Sequence, residues 1–196
     1  MIANGTLHGA SAPKGHRHKA RDFNPWNEGN PGSVSCARDS DIVGRAMPST
    51  FTNLLYHVVF STKNRIPSIQ PDLRESLYEY MGGILRGEGG ILLEIGGVSD
   101  HVHLLARIKT DVAVARIIQL VKGRSSKWVN AEKRRDHHFE WQEGYGAFSV
   151  SASHVERVRR YIRNQEQHHR RTTFRDELTA LLNRHGIAYD ERYLLG

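Results

Sequence analysis

The chain has 196 residues and a hydrophobic content of 38%, enough for one domain with a core and polar tails. Its apolar runs, such as Leu54 to Phe60, fall far short of the ~20 residues a membrane-spanning helix needs. Its single cysteine, Cys36, excludes an internal disulfide or a cysteine-based zinc site. A formal net charge of +7 favours polyanionic partners, nucleic acid first, although a generally basic chain without such a partner has the same balance. The first residues lack the compact apolar core of a secretory signal, so a cytoplasmic location with no membrane association is expected.

Residues 1–46 are rich in glycine, carry Pro13, Pro25 and Pro31, and show no hydrophobic period. Such a stretch buries too little surface to offset its ordering entropy. It is expected as a disordered extension ahead of a single domain over residues 47–196. Residues 51–61 are aromatic and β-branched and read as a strand, with Leu55, His57 and Val59 on one face and Tyr56, Val58 and Phe60 on the other. Pro71 and Asp72 open a helix running to about Arg86, with Leu73, Leu77, Tyr80, Met81 and Ile84 at helical spacing. Gly87, Gly89 and Gly90 end it.

Ile91 to Val98 and His101 to Ile108 read as a hairpin around Ser99-Asp100, with a bulge expected at Gly96-Gly97. Thr110-Asp111 caps a helix reaching about Ala131. Phe139 to Ser151 reads as a bulged strand or hairpin, broken by Gly144 and Gly146. Ser153 and Glu156 have the spacing of a capping box for a helix running to about His168, and a last helix over about Phe174 to Arg184 ends at Gly186. The order strand, helix, strand, strand, helix, strand predicts an α+β, ferredoxin-like βαββαβ antiparallel sheet with helices on one face, also the architecture of RRM modules. A further C-terminal helix carries Tyr161. This architecture hosts many activities and does not select one.

Three residue sets carry candidate chemistry. His101 and His103 flank one residue in a strand, so their imidazoles share a face with Leu105. Such a pair either binds a divalent metal or simply packs. With carboxylate, amide or water oxygens it suits Mg²⁺, Mn²⁺ or a similar ion. Asp100 either orients a histidine or serves the turn. Tyr161 and Gln165 are four apart on a helix face. Tyr161 is either a core residue or a nucleophile whose phenol needs activation. Gln165 is either a solvated residue or a ligand through its amide oxygen. Lys63, Arg65, Lys122, Arg124, Lys127, Arg157 and Arg160 either neutralise phosphates or form a solvated face. Trp128, Trp141 and Tyr145 either stack on bases or belong to the core.

Taken together, Tyr56 to Arg65 on the first strand, Asp100-His101-Val102-His103-Leu104-Leu105 on the third, and Tyr161-Ile162-Arg163-Asn164-Gln165 on the late helix resemble the HUH-type single-tyrosine transposases. These belong to small bacterial insertion sequences and to their relatives associated with repeated extragenic palindromes. The resemblance runs from about Ser49 to the C-terminal region, including Gly186 to Tyr193, and leaves out residues 1–46. It implies that His101, His103 and Gln165 hold a divalent metal, Mg²⁺ or Mn²⁺, and that Tyr161 is the catalytic nucleophile. It further implies cleavage and rejoining of single-stranded DNA at hairpin-marked element ends through a covalent 5′-phosphotyrosine, by a homodimer. The alternative is a non-catalytic, domesticated module that grips nucleic-acid hairpins; a metal-dependent hydrolase using water is a third reading.

Overall fold

The computed structural model describes residues 51–131 and 138–194; the extension expected over residues 1–46 lies outside them. Among the described residues there are four strands: β1 (Leu55–Ser61), β2 (Ile91–Gly97), β3 (His101–Arg107) and β4 (Gly146–Ser149). They form one sheet in the order β2-β3-β1-β4, with every neighbouring pair antiparallel. Among the same residues five α-helices accompany them: α1 (Pro71–Gly87), α2 (Val114–Ala131), α3 (Val155–Arg163), α4 (Gln165–His168) and α5 (Phe174–Arg184). The β1-α1-β2 crossover leaves a gap that β3 fills, which is the ferredoxin-like arrangement expected. Among the described residues no helix is long and apolar enough to cross a membrane.

The sheet is covered on both faces, which explains why β1 and β3 read as nearly unbroken apolar runs. On one face Val58, Phe60, Val102, Leu104 and Ala106 pack against Leu73, Leu77 and Met81 of α1 and Ile117, Ile118 and Val121 of α2. Pro71 starts α1, where its fixed φ suits a first helical turn and its missing N–H costs nothing. Inside this layer the Trp141 indole donates to Ser125 Oγ at 2.9 Å, and that hydroxyl donates to the Val121 carbonyl at 2.6 Å. Both buried polar groups are thus satisfied.

On the opposite face Val59 and Phe148 pack with Phe174, Leu178, Leu181 and Leu182 of α5. Thr173 caps α5 by accepting from the Asp176 backbone N–H. Gly186, at φ +64°, supplies the left-handed turn after it. The two crossover helices therefore lie on one face as expected, and the C-terminal helices cover the other.

Five local expectations differ from what is observed. α2 starts at Val114, with the Ala113 carbonyl accepting its first backbone bonds, so Thr110-Asp111 lie ahead of the cap position. The register shift in the β2-β3 hairpin falls between Leu92 and Glu94, not at Gly96-Gly97. Gly96 serves a different need, because a Cβ there would sit 2.5 Å from the Ile162 carbonyl oxygen. The glycine is what lets α3 lie against β2. The Ser153–Glu156 capping box does not form. A single 3₁₀ turn over Ala152–His154 precedes α3; Ser153 Oγ lies near Ser151 Oγ and His154 Nδ1, and Glu156 pairs with Arg159. The expected continuous helix to His168 is broken at Asn164, at φ −95°, ψ 18°, which divides α3 from α4. Of the stretch Phe139 to Ser151, only Gly146–Ser149 joins the sheet, while Trp141 makes one isolated bridge to Thr62.

Candidate active site

His101 and His103 come from β3, pairing across to Ser61 and Val59 of β1. The alternation of the strand sends both imidazoles to the face away from α1 and α2, where α3, α4 and α5 close over them. Both are 0% exposed. Each is held by a second residue. His101 Nδ1 lies 2.7 Å from Asp100 Oδ1; a carboxylate oxygen only accepts, so Nδ1 carries a proton and Nε2 is the nitrogen turned to the site. Burial works to raise the Asp100 carboxyl, but hydrogen bonds from His101 and Arg65 outweigh it and bring it down to about 2. Arg65 donates to Asp100 Oδ2 from Nε at 3.1 Å and from Nη2 at 2.8 Å. That arginine and Asn64 both sit at positive φ, 56° and 54°, a backbone region disfavoured for residues with a Cβ.

His103 Nδ1 lies 2.9 Å from His57 Nε2 of β1, with the two rings stacked. Burial, reinforced by the His103 charge, pulls the His57 imidazole down to about 3, so it is neutral. His103 is itself lowered by burial, against the raising effect of Glu177. His103 Nε2 is buried and has no hydrogen-bond partner, although Glu177 Oε2 lies 3.2 Å away.

Glu177, from the first turn of α5, is the centre of the site and is 3% exposed. Its Oε2 lies 3.2 Å from His103 Nε2, 3.6 Å from His101 Nε2 and 3.1 Å from His169 Nε2. Its Oε1 accepts from the Tyr161 hydroxyl and, at 3.1 Å, from Gln165 Nε2. Gln165 Oε1 lies 3.4 Å from His101 Nε2. Burial works to raise the Glu177 carboxyl, but the His103 and His169 imidazoles against it outweigh burial and hold it far below the usual carboxylate range. The Tyr161 phenol is pushed well above its ordinary value, first by burial and then by the Glu177 charge.

All four residues singled out from the sequence, His101, His103, Tyr161 and Gln165, therefore meet around one carboxylate. His101, His103, His169 and Glu177 each offer a ligand atom, and these atoms lie within 4.8 Å of one another. The unpartnered Nε2 of His103 gives a metal a reason to be there, and imidazole with carboxylate is a suitable donor set. Sequence reasoning missed Glu177, His169 and His57. His169 follows Tyr161 and Gln165 at a further step of four, a signal that was legible. Glu177 had none, since an acidic residue in a first helical turn usually just complements the helix dipole.

The remaining basic and aromatic candidates divide. Lys63, Arg65 and Arg124 pair with Glu140, Asp100 and Glu88, and Lys122 donates to the Glu143 and Gly144 carbonyls. Trp141 packs edge-on against Phe60 and Phe139, and Trp128 stacks on Tyr80, so both are structural. Arg157 and Arg160, with Arg170, Arg171 and His168, line a groove of about 570 Å³ that has Tyr161 in its wall. A larger cavity of about 760 Å³, lined by Arg74, Tyr78 and Leu92, includes none of the site's residues.

The chain is similar in structure to a Deinococcus radiodurans R1 protein assigned as a transposase, at 23% identity and a TM-score of 0.48, over 62% of this chain and 95% of that one. It is also similar to a REP-associated tyrosine transposase bound to a REP hairpin, at 10% identity and a TM-score of 0.49, over 64% of this chain and 74% of that one. No curated protein matches the chain. The IS200-like transposase family model matches residues 50–165, more than half of the sequence, and the chain belongs to that family.

Proposed function

We propose that the protein cleaves and rejoins single-stranded DNA at hairpin-marked element ends, with Tyr161 as nucleophile and His101, His103 and Gln165 holding Mg²⁺ or Mn²⁺. One observation carries the reading: residues about sixty positions apart, His101 and His103 on a strand and Tyr161 and Gln165 on two helices, converge on one buried carboxylate. Chance packing gives a phenol, an amide and two imidazoles no reason to share a site.

Tyr161 gives up its phenolic proton to solvent as its oxygen bonds to the scissile phosphorus. The P–O3′ bond breaks, and the departing oxygen takes a proton to become a 3′-hydroxyl. The 5′-phosphotyrosine link keeps the phosphodiester energy, so a second 3′-hydroxyl can later displace Tyr161 without nucleotide hydrolysis. When bound, the divalent ion supplies Lewis-acid stabilisation of the phosphate charge. Asp100 and His57 fix the two histidine rings, Gln165 offers its amide oxygen beside them, and the Arg157/Arg160 groove leads phosphates to Tyr161. The acting species is proposed to be a homodimer, to be checked by light scattering on the eluted protein.

The test is a covalent adduct on a labelled single-stranded hairpin substrate. With Mg²⁺ or Mn²⁺ the adduct forms; with a chelator, or in Tyr161→Phe, it does not. An adduct that persists in Tyr161→Phe removes Tyr161 as the nucleophile. Salt-sensitive hairpin binding with no adduct under any divalent ion would instead make the chain a binding module.

A further inference from the structure

We propose that Glu177 joins the metal to the nucleophile: Oε2 is a ligand of the ion at His101 and His103, and Oε1 positions the hydroxyl of Tyr161 in the same chain. The proposal rests on the metal-assisted tyrosine reading and adds a residue that the His101–His103–Gln165 set does not contain.

The two oxygens of Glu177 face different groups. Oε2 looks at the Nε2 atoms of His103, His101 and His169, at 3.2, 3.6 and 3.1 Å. Oε1 takes the Tyr161 hydroxyl and the Gln165 amide N–H. A buried carboxylate is costly unless charge and hydrogen bonds compensate it. Among the described residues the ion-pair partners of Glu177 are histidines alone, and His103 Nε2 makes no hydrogen bond. A divalent cation held by Oε2 and the imidazoles would add the compensating charge and take up that idle nitrogen. His169 stands as a fourth donor: its Nδ1 lies 2.9 Å from the Thr172 carbonyl and is spoken for, while its Nε2 faces Glu177 Oε2 at 3.1 Å and is the nitrogen that would give up its proton to take the ion.

Glu177 also decides which way Gln165 faces. A carboxylate accepts only, so the amide NH₂ of Gln165 must point at Oε1. The amide oxygen is then turned to His101 Nε2, 3.4 Å away, on the side of the proposed ion. Three imidazoles, a carboxylate and an amide oxygen make a mixed nitrogen–oxygen set. Such a set favours Mn²⁺ or a later first-row ion over Mg²⁺, which prefers oxygen ligands and retained water.

The experiment measures Mn²⁺ binding by loss of the free-ion electron paramagnetic resonance signal, in the full chain, Glu177→Gln and His103→Ala. Adduct rates on hairpin DNA are measured in parallel at rising Mn²⁺. Glu177→Gln is expected to bind Mn²⁺ about 10- to 100-fold more weakly. Its adduct rate is expected to stay below that of the parent chain at saturating Mn²⁺, because the phenol has lost its charged acceptor. Mn²⁺ affinity within twofold of the parent overturns the ligand role, and a full rate at saturation overturns the positioning role. Should Glu177→Gln not fold, crystals of the parent chain soaked in Mn²⁺ decide: an anomalous peak bonded to His101 and His103, with Glu177 out of bonding distance, overturns the proposal. If only His103→Ala loses Mn²⁺, Glu177 is removed and the metal-assisted tyrosine stands; if the parent binds no Mn²⁺, both fall.

Discussion

At the scale of single residues, the proposed ligands are set by neighbours that hold one ring nitrogen and turn the other toward Glu177. Asp100 does this for His101 and His57 for His103. The sequence leaves Asp100 two readings, and the bond to His101 shows that it is more than a turn residue. Arg65 reads from the sequence as a candidate for phosphate, yet its guanidinium is spent on Asp100. Lys122 shows the same diversion, with a measurable consequence. Burial lowers its amine to about 8, against a smaller raising effect of Glu143. The folded chain therefore holds fewer protons than the unfolded one between about pH 8 and the ordinary lysine value of 10.5, and stability gains from this group as pH rises through that window. Below pH 8 the buried ammonium is a full cost. Urea unfolding should show the parent chain gaining stability relative to Lys122→Met from about pH 8 to 10; a gap that stays constant or moves the other way contradicts the assignment.

At the scale of elements, the site depends on how closely α3 approaches the sheet. Gly96 on β2 faces the Ile162 backbone, one residue from Tyr161. Gly96→Ala places a methyl 2.5 Å from a carbonyl oxygen, and a backbone group yields only if α3 moves. The expected result is a loss of about 1–3 kcal/mol of stability, as for overpacking in a core, and an adduct rate that falls more than hairpin binding does. An unchanged melting temperature and rate would mean α3 is not held there. The break at Asn164 was illegible because nothing in Tyr161-Ile162-Arg163-Asn164-Gln165 forbids a continuous helix. Tyr161 and Gln165 still reach the same oxygen across it, so the functional part of the spacing argument survives while the helical part does not.

At the scale of the whole molecule, the net charge of +7 is less informative than where the cations lie. Several basic residues that the sequence offers for DNA are tied to carboxylates elsewhere. The groove beside Tyr161 gathers Arg157, Arg160, Arg170 and Arg171. Arg157→Ala with Arg160→Ala should weaken single-stranded DNA binding and reduce the slope of log affinity against log salt by about 0.7 for each phosphate no longer neutralised. The same change in Lys63 and Arg124 should alter that slope little. An equal effect from both pairs would place the DNA elsewhere.

The sequence by itself determined the strand phases, the crossover order and the shared face of His101 and His103, because these follow from local periodicity and chain order. It also brought forward Tyr161 and Gln165, through their spacing and the resemblance it supported. Only the tertiary structure brought α5 across the sheet, and with it Glu177, a residue whose local context gave no sign of a site. The reason is physical. A buried carboxylate is defined by the groups that surround it, and those of Glu177 come from β3, α3, α4 and the turn after α4, neighbours that no local pattern encodes.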